Sequence, residues 1–207
     1  MNKIKNPLLI VANGDFPSHP IPLEILRNST SILSCDGASN SLISNGYMPN
    51  LIIGDLDSII DKHKKNLSDI IIENNDQEEN DLRKAINYAI KKNIKEINII
   101  GATGKREDHS LGNIFSLFIY KKENIKIFTD TGFFRCIHKS SKIKSFKGQQ
   151  VSLFCTNPDT EITTKDLKYN FNQKSITHLH KGTLNESNST FFEIKINQGS
   201  LLIYQKY

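Results

Sequence analysis

The stretch that decides the fold is "LIIGDLDSI", residues 51–59. Its first three residues are apolar, which is typical of a buried β-strand. The run ends in a glycine, and two aspartates, Asp55 and Asp57, follow with one leucine between them. Carboxylates at the end of a buried strand are costly unless a positive charge compensates them. The stretch therefore predicts a strand whose carboxyl end faces a cation.

Five further apolar runs resemble this one and alternate with segments of helical periodicity. They are "LLIVA" (8–12), "ILSC" (32–35), "DIII" (69–72), "INII" (97–100) and "IKIF" (125–128). The clearest helix is predicted over 81–92, where apolar residues recur every three or four positions and Asn80 can cap the start. This alternation predicts an α/β domain with a mostly parallel sheet flanked by helices.

The pattern changes near residue 140. Short strand-like runs follow at 150–154, 161–164, 167–171, 191–196 and 200–204. The turn "NQGS" (197–200) predicts a hairpin between the last two runs. We therefore predict an α/β domain over 1–139 and a small all-β domain over 140–207. About 70 residues form a marginal core alone, so the second domain should pack on the first, on a second copy, or on both.

The composition of the chain narrows the classes of protein to which it can belong. The 207-residue chain has a net charge of +5, but its lysines are spread along the whole length, which favours a solubilising surface over nucleic-acid binding. No apolar run approaches the roughly 20 residues of a membrane helix, so we expect no membrane association. The polar N-terminus leads directly into the first strand, which predicts a cytoplasmic protein. Three scattered cysteines without a CxxC pattern argue against disulfides and zinc.

Polar residues concentrate where ligands bind in an open α/β sheet, at the carboxyl ends of the strands. Five consecutive strand ends carry glycine, carboxylates or both. The candidates at these ends, besides the two aspartates above, are Asn13, Asp36, Gly37, Asn40, Gly54, Ser58, Asp76, Gln77, Asp81, Gly104, Arg106, Asp108 and His109. The alternative is that such Asp and Asn residues only cap helices and form turns.

The spacing of the two aspartates favours a metal site. In an extended chain, Asp55 and Asp57 point to the same face. A hard cation such as Mg²⁺ takes oxygen ligands and usually joins protein carboxylates to substrate phosphates. Asp81, at the start of a helix, can stay ionised there and completes the predicted metal set. Gly54 would let a phosphate or a backbone segment approach closely.

The stretch "GATGKRED" (101–108) resembles half of a phosphate-binding P-loop. The full pattern also needs an upstream glycine and Ser or Thr where this chain has Arg106, so a Walker-type NTPase is not expected. The backbone amides of the loop can still face an anion, and Arg106 can bind phosphate with two hydrogen bonds. The alternatives are a surface ion pair of Arg106 with Glu107 or Asp108, and a His109 that only starts a helix.

Three motifs, in this order and spacing, resemble the thiamine pyrophosphokinase family. They are "DGASNSLISNGYMPNLIIGDLDSI" (36–59), "DQEENDLRKAI" (76–86) and "GATGKREDHSLGN" (101–113). The resemblance implies transfer of a pyrophosphoryl group from ATP to thiamine with release of AMP, and Mg²⁺ as the cofactor. It also implies an N-terminal α/β domain, a C-terminal β-sandwich, and a homodimer with shared active sites.

Carried onto this chain, the resemblance implies three groups of site residues. Asp55, Asp57 and Asp81 would bind the metal, and Asn185 would help to hold thiamine. The nucleotide and transfer site would include Asp36, Asp76, Gln77, Arg106 and Asp108. Asp57, Asp81, Arg106 and Asp108 are the predicted catalytic residues, with Asp81 and Asp108 as the candidate bases.

The chain departs from the family pattern at four positions. Asn80 stands where threonine is usual, Lys105 and Asp166 where glycine is usual, and Leu184 where serine often precedes the asparagine. Two rival functions stay open: a pyrophosphokinase acting on another heterocyclic alcohol, such as a pterin, and a regulator that binds nucleotide or thiamine without catalysis.

Overall fold

A computed structural model describes residues 3–207 as two compact units. The first unit runs to Ile114 and includes Lys122–Asp130, and the second comprises Phe115–Lys121 and Thr131–Tyr207. The chain therefore leaves the first unit once and returns to it for one more segment. The predicted boundary after residue 139 differs from this division, because the strand Gly132–Ile137 belongs to the second unit.

The first unit is an α/β domain with an entirely parallel sheet. Its strands are β1 (Leu8–Val11), β2 (Ile32–Cys35), β3 (Leu51–Gly54), β4 (Ile71–Glu73), β5 (Glu96–Ile100) and β6 (Asn124–Phe128). Its helices are α1 (Pro20–Asn28), α2 (Ala38–Ser44), α3 (Asp61–Asn66), α4 (Asp81–Lys91) and α5 (Glu107–Phe115). All neighbouring strands in this unit are parallel. The six predicted strands and the α/β class are thus confirmed.

Helix α4 shows why the sequence pattern was decisive. The side chain of Asn80 accepts a hydrogen bond from the backbone N–H of Arg83 at 3.0 Å and caps the helix. The apolar stripe of Leu82, Ile86 and their neighbours is buried against β1, β2 and β3. Burial of this stripe is the main stabilisation of the helix. The predicted helix over 81–92 is confirmed to within one residue.

The order of the strands in the sheet determines where a ligand crevice lies. Across the first unit the order is β6-β5-β1-β2-β3-β4. β1 therefore has β2 on one side and β5 on the other, and the chain winds outward from it in both directions. In doubly wound folds the loops after two such strands diverge and leave a crevice at their carboxyl ends. The crevice here lies between the loops that follow β1 and β5.

The second unit is an all-β sandwich. Its strands are β7 (Gly132–Ile137), β8 (Ser141–Lys144), β9 (Gln150–Phe154), β10 (Glu161–Lys165), β11 (Lys174–Ser175), β12 (Asn185–Glu186), β13 (Phe191–Ile196) and β14 (Leu201–Lys206). They form two antiparallel layers, β12-β9-β14-β7 and β11-β10-β13-β8. Buried residues of both layers, such as Leu153, Phe192 and Ile203, form one apolar cluster. The predicted all-β class is confirmed.

The predicted hairpin over 197–200 is wrong. β13 pairs with β10 and β8, whereas β14 pairs with β7 and β9, so the "NQGS" turn joins strands of different layers. Gly199, with a φ of 75°, makes the reversal possible. The predicted strand over 167–171 is also absent, because Leu167 makes only an isolated bridge to Ser187. No helix within residues 3–207 is both long and apolar enough to cross a membrane.

Candidate active site

Three carboxylates meet at the carboxyl ends of β2 and β3. Oxygens of Asp36, Asp55 and Asp57 lie within 4.8 Å of one another. Asp36 is completely buried, and its Oδ2 accepts a hydrogen bond from the backbone N–H of Ser58 at 3.0 Å. Its Oδ1 is buried without a hydrogen-bond partner among the described residues. Such an oxygen is costly, and a divalent cation bound by the three carboxylates would satisfy it.

A left-handed turn brings Asp55 and Asp57 together. β3 ends at Gly54, and Leu56 has a φ of 67°. A leucine in this conformation costs about 1–2 kcal/mol. Its side chain is 8% exposed and packs with Ile52 and Ile59, and this burial offsets the strain. The expectation that strand alternation aligns the two carboxylates is therefore wrong, since the turn does so.

Gly54 leaves room for two carboxylate side chains. A Cβ at this position would lie 2.5 Å from the Cβ of Asp36 and 3.3 Å from Oδ1 of Asp81. Any larger residue would push these groups apart. We expected the glycine to admit a phosphate or a backbone segment; in the structure it admits Asp36 and Asp81.

Asp81 is paired with a buried lysine that the sequence analysis missed. Asp81 is the first residue of α4, and Nζ of Lys84 donates a hydrogen bond to its Oδ1 at 3.3 Å. The Lys84 side chain is only 3% exposed. The i,i+3 spacing from Asp81 was the available signal, because residues so spaced are neighbours on a helix. Lys84 thus supplies part of the positive charge that the acidic strand ends require.

The electrostatics of the cluster favour a bound cation. Burial raises the pKa of Asp36, and the nearby negative charges add to this, while the Ser58 N–H opposes it. Burial also raises the pKa of Asp81, against the hydrogen bond from Lys84. The pKa of Asp57 is lowered, chiefly by the hydrogen bond from the Ser58 hydroxyl. Asp57 therefore favours the ionised form, whereas the buried Asp36 and the half-buried Asp81 need further positive charge to reach it.

A cavity of about 390 Å³ opens at the crevice between β1 and β5. This volume is within the range of small-molecule sites. Seven of the residues proposed from the sequence line it: Asn13, Asp55, Gln77, Asp81, Gly104, Arg106 and His109. The structure adds Glu79, Lys84, Lys105 and Asn113. The cavity therefore combines carboxylates from the ends of β3 and α4 with cationic groups from the loop after β5.

The loops after β1 and β5 are held tightly together. Backbone hydrogen bonds join Gly14 N–H to the Gly101 carbonyl at 2.6 Å and Asp15 N–H to the Thr103 carbonyl at 2.9 Å. A Cβ on Gly14 would lie 2.2 Å from the Thr103 oxygen, so only glycine permits this approach. The loops on the two sides of the crevice are thus held in a fixed position relative to each other.

Gly37 makes room for a further contact at the cavity, between α2 and the loop after β1. A Cβ there would lie 2.5 Å from Nδ2 of Asn13. Gly37 therefore allows the Asn13 side chain to lie against the start of α2, next to Asp36. Asn13 in turn accepts a hydrogen bond from Nζ of Lys105 at 3.1 Å. The contact links the loops after β1, β2 and β5 at the cavity.

Arg106 and Asp108 form a two-bond ion pair. Nε and Nη2 of Arg106 donate hydrogen bonds to the two carboxylate oxygens of Asp108 at 3.1 and 2.6 Å. The guanidinium lowers the pKa of Asp108 to about 2. Both side chains are more than 60% exposed. Arg106 thus forms the surface ion pair with Asp108 that was the alternative to phosphate binding. A phosphate that bound to Arg106 would take the place of the Asp108 carboxylate. His109 lies in the first turn of α5, as its helix-start alternative states, and also lines the cavity.

Two other predicted residues, Asn40 and Asp76, brace loops. Asn40 donates to the Ser58 carbonyl at 2.8 Å and accepts from Ile60 N–H at 3.1 Å, so it fixes the segment that carries Asp57. Asp76 accepts from the backbone N–H of Glu78 at 2.9 Å and closes a local turn. These contacts position the acidic loops rather than form the cavity wall.

Asn185 lies in the second unit and is 4% exposed. Its amide accepts from the N–H of Tyr169 at 3.1 Å and donates to the Tyr169 carbonyl at 2.8 Å. The adjacent Leu184 is 87% exposed, and Tyr169 is 63% exposed. Asn185 therefore fixes the backbone of a loop that presents apolar side chains to solvent.

Together these features define a doubly wound α/β protein whose crevice suits a divalent cation and a phosphorylated ligand. Two family models match the chain. "Thiamin pyrophosphokinase, catalytic domain" matches residues 23–129, and "Thiamin pyrophosphokinase, substrate-binding domain" matches residues 132–204. The chain belongs to the thiamin pyrophosphokinase family. The gap between the two matches coincides with the division between Asp130 and Thr131.

Similar proteins support this membership. The chain is 32% identical over 143 residues to a thiamine pyrophosphokinase of Bacillus subtilis, and the match covers 66% of this chain and 63% of that protein. It is 29% identical over 175 residues to thiamine pyrophosphokinase 1 of Oryza sativa, covering 76% of this chain and 66% of that protein. Both matches span slightly less than two thirds of the relative's own length.

A solved structure shows the same fold. The crystal structure of thiamine pyrophosphokinase from Bacillus subtilis superposes with a TM-score of 0.83 at 22% identity, covering 96% of this chain and 98% of that one. The order of elements in both units is therefore a known architecture, with the α/β part first and the all-β part second.

Proposed function

We propose that this protein transfers the pyrophosphoryl group of ATP to the hydroxyl of thiamine and releases AMP. One observation carries the proposal: Asp55 of the acidic cluster, Asp81 and the glycine-rich loop after β5 line one cavity, in the part of the chain that matches the family's catalytic domain. The names of the relatives supply the acceptor, thiamine. A cavity with carboxylates on one side and cations on the other suits a metal-bound polyphosphate.

The donor set fits Mg²⁺. Asp36, Asp55 and Asp57 offer only oxygen atoms, these lie within 4.8 Å of one another, and within residues 3–207 no group donates a hydrogen bond to the buried Asp36 Oδ1. We assign the metal to this cluster, with Asp81 as the neighbouring carboxylate predicted to join it. When bound, Mg²⁺ neutralises phosphate charge at the reacting centre.

The residues of the chain position the reactants. In the transfer, the thiamine hydroxyl oxygen forms a bond to the β-phosphorus of ATP, the bond from that phosphorus to the α-phosphate oxygen breaks, and AMP leaves. The hydroxyl proton passes to a base, for which Asp81 and Asp108 stay the two candidates. Arg106 can exchange Asp108 for a phosphate and stabilise its charge with a two-point contact.

The remaining site residues hold the nucleotide or its loops. We assign nucleotide contacts to Asn13, Gln77, Gly104 and His109, which line the cavity. Asn40, Ser58 and Asp76 act through the loops they brace. Gly54 permits the close packing of Asp36 and Asp81, and Gly37 permits that of Asn13 and Ser58.

We further propose a cytoplasmic homodimer with shared active sites. The support is the loop fixed by Asn185, which exposes Tyr169 and Leu184 to solvent and suits contact with another surface. Thiamine would bind near this loop, with Asn185 positioning it. Mixing an inactive Asp57→Asn chain with an inactive Asn185→Ala chain should then restore part of the activity. Subunit exchange without recovery would contradict the shared site.

The deciding experiment is incubation with ATP, Mg²⁺ and thiamine, followed by mass detection of thiamine diphosphate and AMP. The Asp57→Asn variant serves as the control, since it should yield neither product. A hydroxymethyl pterin offered in competition separates the pterin alternative. Binding of ATP and thiamine with no AMP formed would identify a regulator and refute the proposed reaction.

A further inference from the structure

We propose that Lys105 binds the phosphate chain of the nucleotide and tunes the affinity of this protein for triphosphate over monophosphate. The inference rests on the proposed function and extends it to a residue at which the chain departs from the family pattern. Lys105 lies in the loop between β5 and α5, and its side chain lines the cavity.

The first argument is charge. The arginine and lysines that line the cavity are Lys84, Lys105 and Arg106. Lys84 is paired with Asp81, and Arg106 is paired with Asp108. Among the described residues, Lys105 has no carboxylate within ion-pair distance; its Nζ donates only to the neutral amide oxygen of Asn13 at 3.1 Å. Lys105 is therefore the cation of this cavity wall that a phosphate can engage without displacing a carboxylate.

Lys105 also has an unusual backbone conformation. Lys105 has a φ of 56°, directly after Gly104 with a φ of 83°. A residue with a long side chain is strained in this left-handed region, where glycine is favoured. Strained residues that persist are concentrated at ligand-binding sites, where the conformation has a use. Here the left-handed backbone directs the side chain across the crevice to the loop after β1.

The contact with Asn13 shows where the ammonium is held. The loops after β1 and β5 are braced by backbone hydrogen bonds, so the crevice between them has a fixed width. Lys105 and Asn13 reach toward each other across it, at the carboxyl ends where doubly wound folds bind phosphates. Nζ can pass from the amide oxygen to a phosphate oxygen by a change of side-chain rotamer alone, since Lys105 is exposed.

Three substitutions separate charge from strain. Lys105→Gln removes the charge and keeps the strained backbone, Lys105→Arg keeps both, and Lys105→Gly removes both. Asn93→Gly is the matched control: Asn93 is also left-handed, with a φ of 61°, and lies after the C-terminal end of α4. The probes are α,β-methylene-ATP with Mg²⁺, and AMP, measured by calorimetry, together with melting curves.

We expect Lys105→Gln and Lys105→Gly to weaken binding of α,β-methylene-ATP about fivefold, the effect of one exposed ion pair. Lys105→Arg and Asn93→Gly should bind it within about twofold of the parent, and AMP binding should change less than ATP-analogue binding in every variant. The loss should shrink at high salt. Lys105→Gly alone among the Lys105 variants should raise the Tm, by about 2 °C.

The results distinguish this inference from the proposed function. Unchanged binding of α,β-methylene-ATP by Lys105→Gln, or an equal loss for AMP, overturns the inference even if the parent protein makes thiamine diphosphate. A Lys105-dependent affinity for the ATP analogue in a protein that forms no thiamine diphosphate supports the inference and overturns the proposed reaction. A higher Tm for Lys105→Gly with full affinity would make Lys105 only a strained loop residue.

Discussion

Replacing Gly54 by alanine tests how the acidic cluster is assembled. The new Cβ would lie 2.5 Å from the Cβ of Asp36, and the two must separate by about 0.9 Å to reach the 3.4 Å of ordinary contact. Asp36 has little room to move, because it is completely buried and bonded to Ser58. Overpacking of this kind costs about 1–3 kcal/mol. At about 2–4 °C per kcal/mol for a chain of this size, that corresponds to a Tm lower by about 2–12 °C.

The same substitution should weaken the metal site. A displaced Asp36 would no longer hold its carboxylate at the present distance from those of Asp55 and Asp57. Disturbing the groups that position metal ligands typically lowers metal affinity 10- to 100-fold. Titrating Mg²⁺ in the thiamine diphosphate assay should therefore give a half-saturating concentration raised by about that factor. Circular dichroism melts with and without MgCl₂ should show a smaller Mg²⁺-induced rise in Tm than in the parent protein.

Gly112→Ala is the matched control for this experiment. Gly112 lies within α5, and a Cβ there would meet no atom within 4 Å. Alanine is favoured over glycine inside a helix by about 1 kcal/mol, so this variant should be at least as stable as the parent. If Gly54→Ala matched Gly112→Ala in Tm and in Mg²⁺ titration, the close packing of Asp36 against β3 would have no energetic role and the reasoning would be refuted.

Three further changes test other parts of the structure. Asp57→Asn should reduce turnover about 10³-fold, which corresponds to a loss of several kcal/mol of transition-state stabilisation. Its melting curve should not change. Near-normal turnover at ordinary Mg²⁺ would count against the metal assignment. Arg106→Ala should lower the rate of transfer more than the calorimetric affinity for AMP, and NMR titration should show the pKa of Asp108 returning toward its usual range. Burial lowers the pKa of His138 in the folded protein, so the unfolded chain binds more protons below about pH 6.5 and the free energy of unfolding should fall as the pH drops through that range. His138→Gln should flatten this dependence in urea melts at several pH values, and an unaltered slope would assign it to other groups.

The sheet of the first unit could be predicted from sequence because its strands are buried on both faces. Continuous apolar runs such as 8–12 and 97–100 are typical of strands covered by helices on both sides, and they are too short to span a membrane. The acidic residues after these runs then follow from topology, since carboxyl ends of parallel strands meet at one edge. Strand β7, with the half-buried residues "FFRC" at 133–136, offers neither a continuous run nor a clean alternation and was therefore missed.

The pairing of strands distant in sequence and the residues with a positive φ were harder to predict. The turn at 197–200 is a local signal and does not specify which layer receives the next strand, so the hairpin was a reasonable but wrong inference. Lys84 was missed because lysine is rarely buried, and the i,i+3 spacing that pairs it with Asp81 does not by itself indicate burial. Leu56 was assigned to an extended chain because leucine gives no indication of a left-handed backbone.

Three of the four departures from the family pattern lie at left-handed backbone positions. Lys105, Asp166 and Leu184 have φ values of 56°, 66° and 60°. Glycine is usual at the first two positions because it adopts this conformation without strain. A glycine in a sequence pattern is thus a signal for the backbone, and this chain has a left-handed backbone at Lys105 and Asp166 with other side chains.

The division of the chain between the two units sets the order in which they can form during synthesis. The first unit has its last strand, β6, by residue 128, so its sheet can close while the rest is still being made. The second unit uses Phe115–Lys121 early but depends on β14, residues 201–206, which pairs with both β7 and β9. At roughly 5–20 residues per second, the ribosome needs on the order of 10 s to supply the intervening chain. During that interval the edge of β7 that pairs with β14 has no partner strand, and such an unpaired edge favours aggregation and chaperone binding.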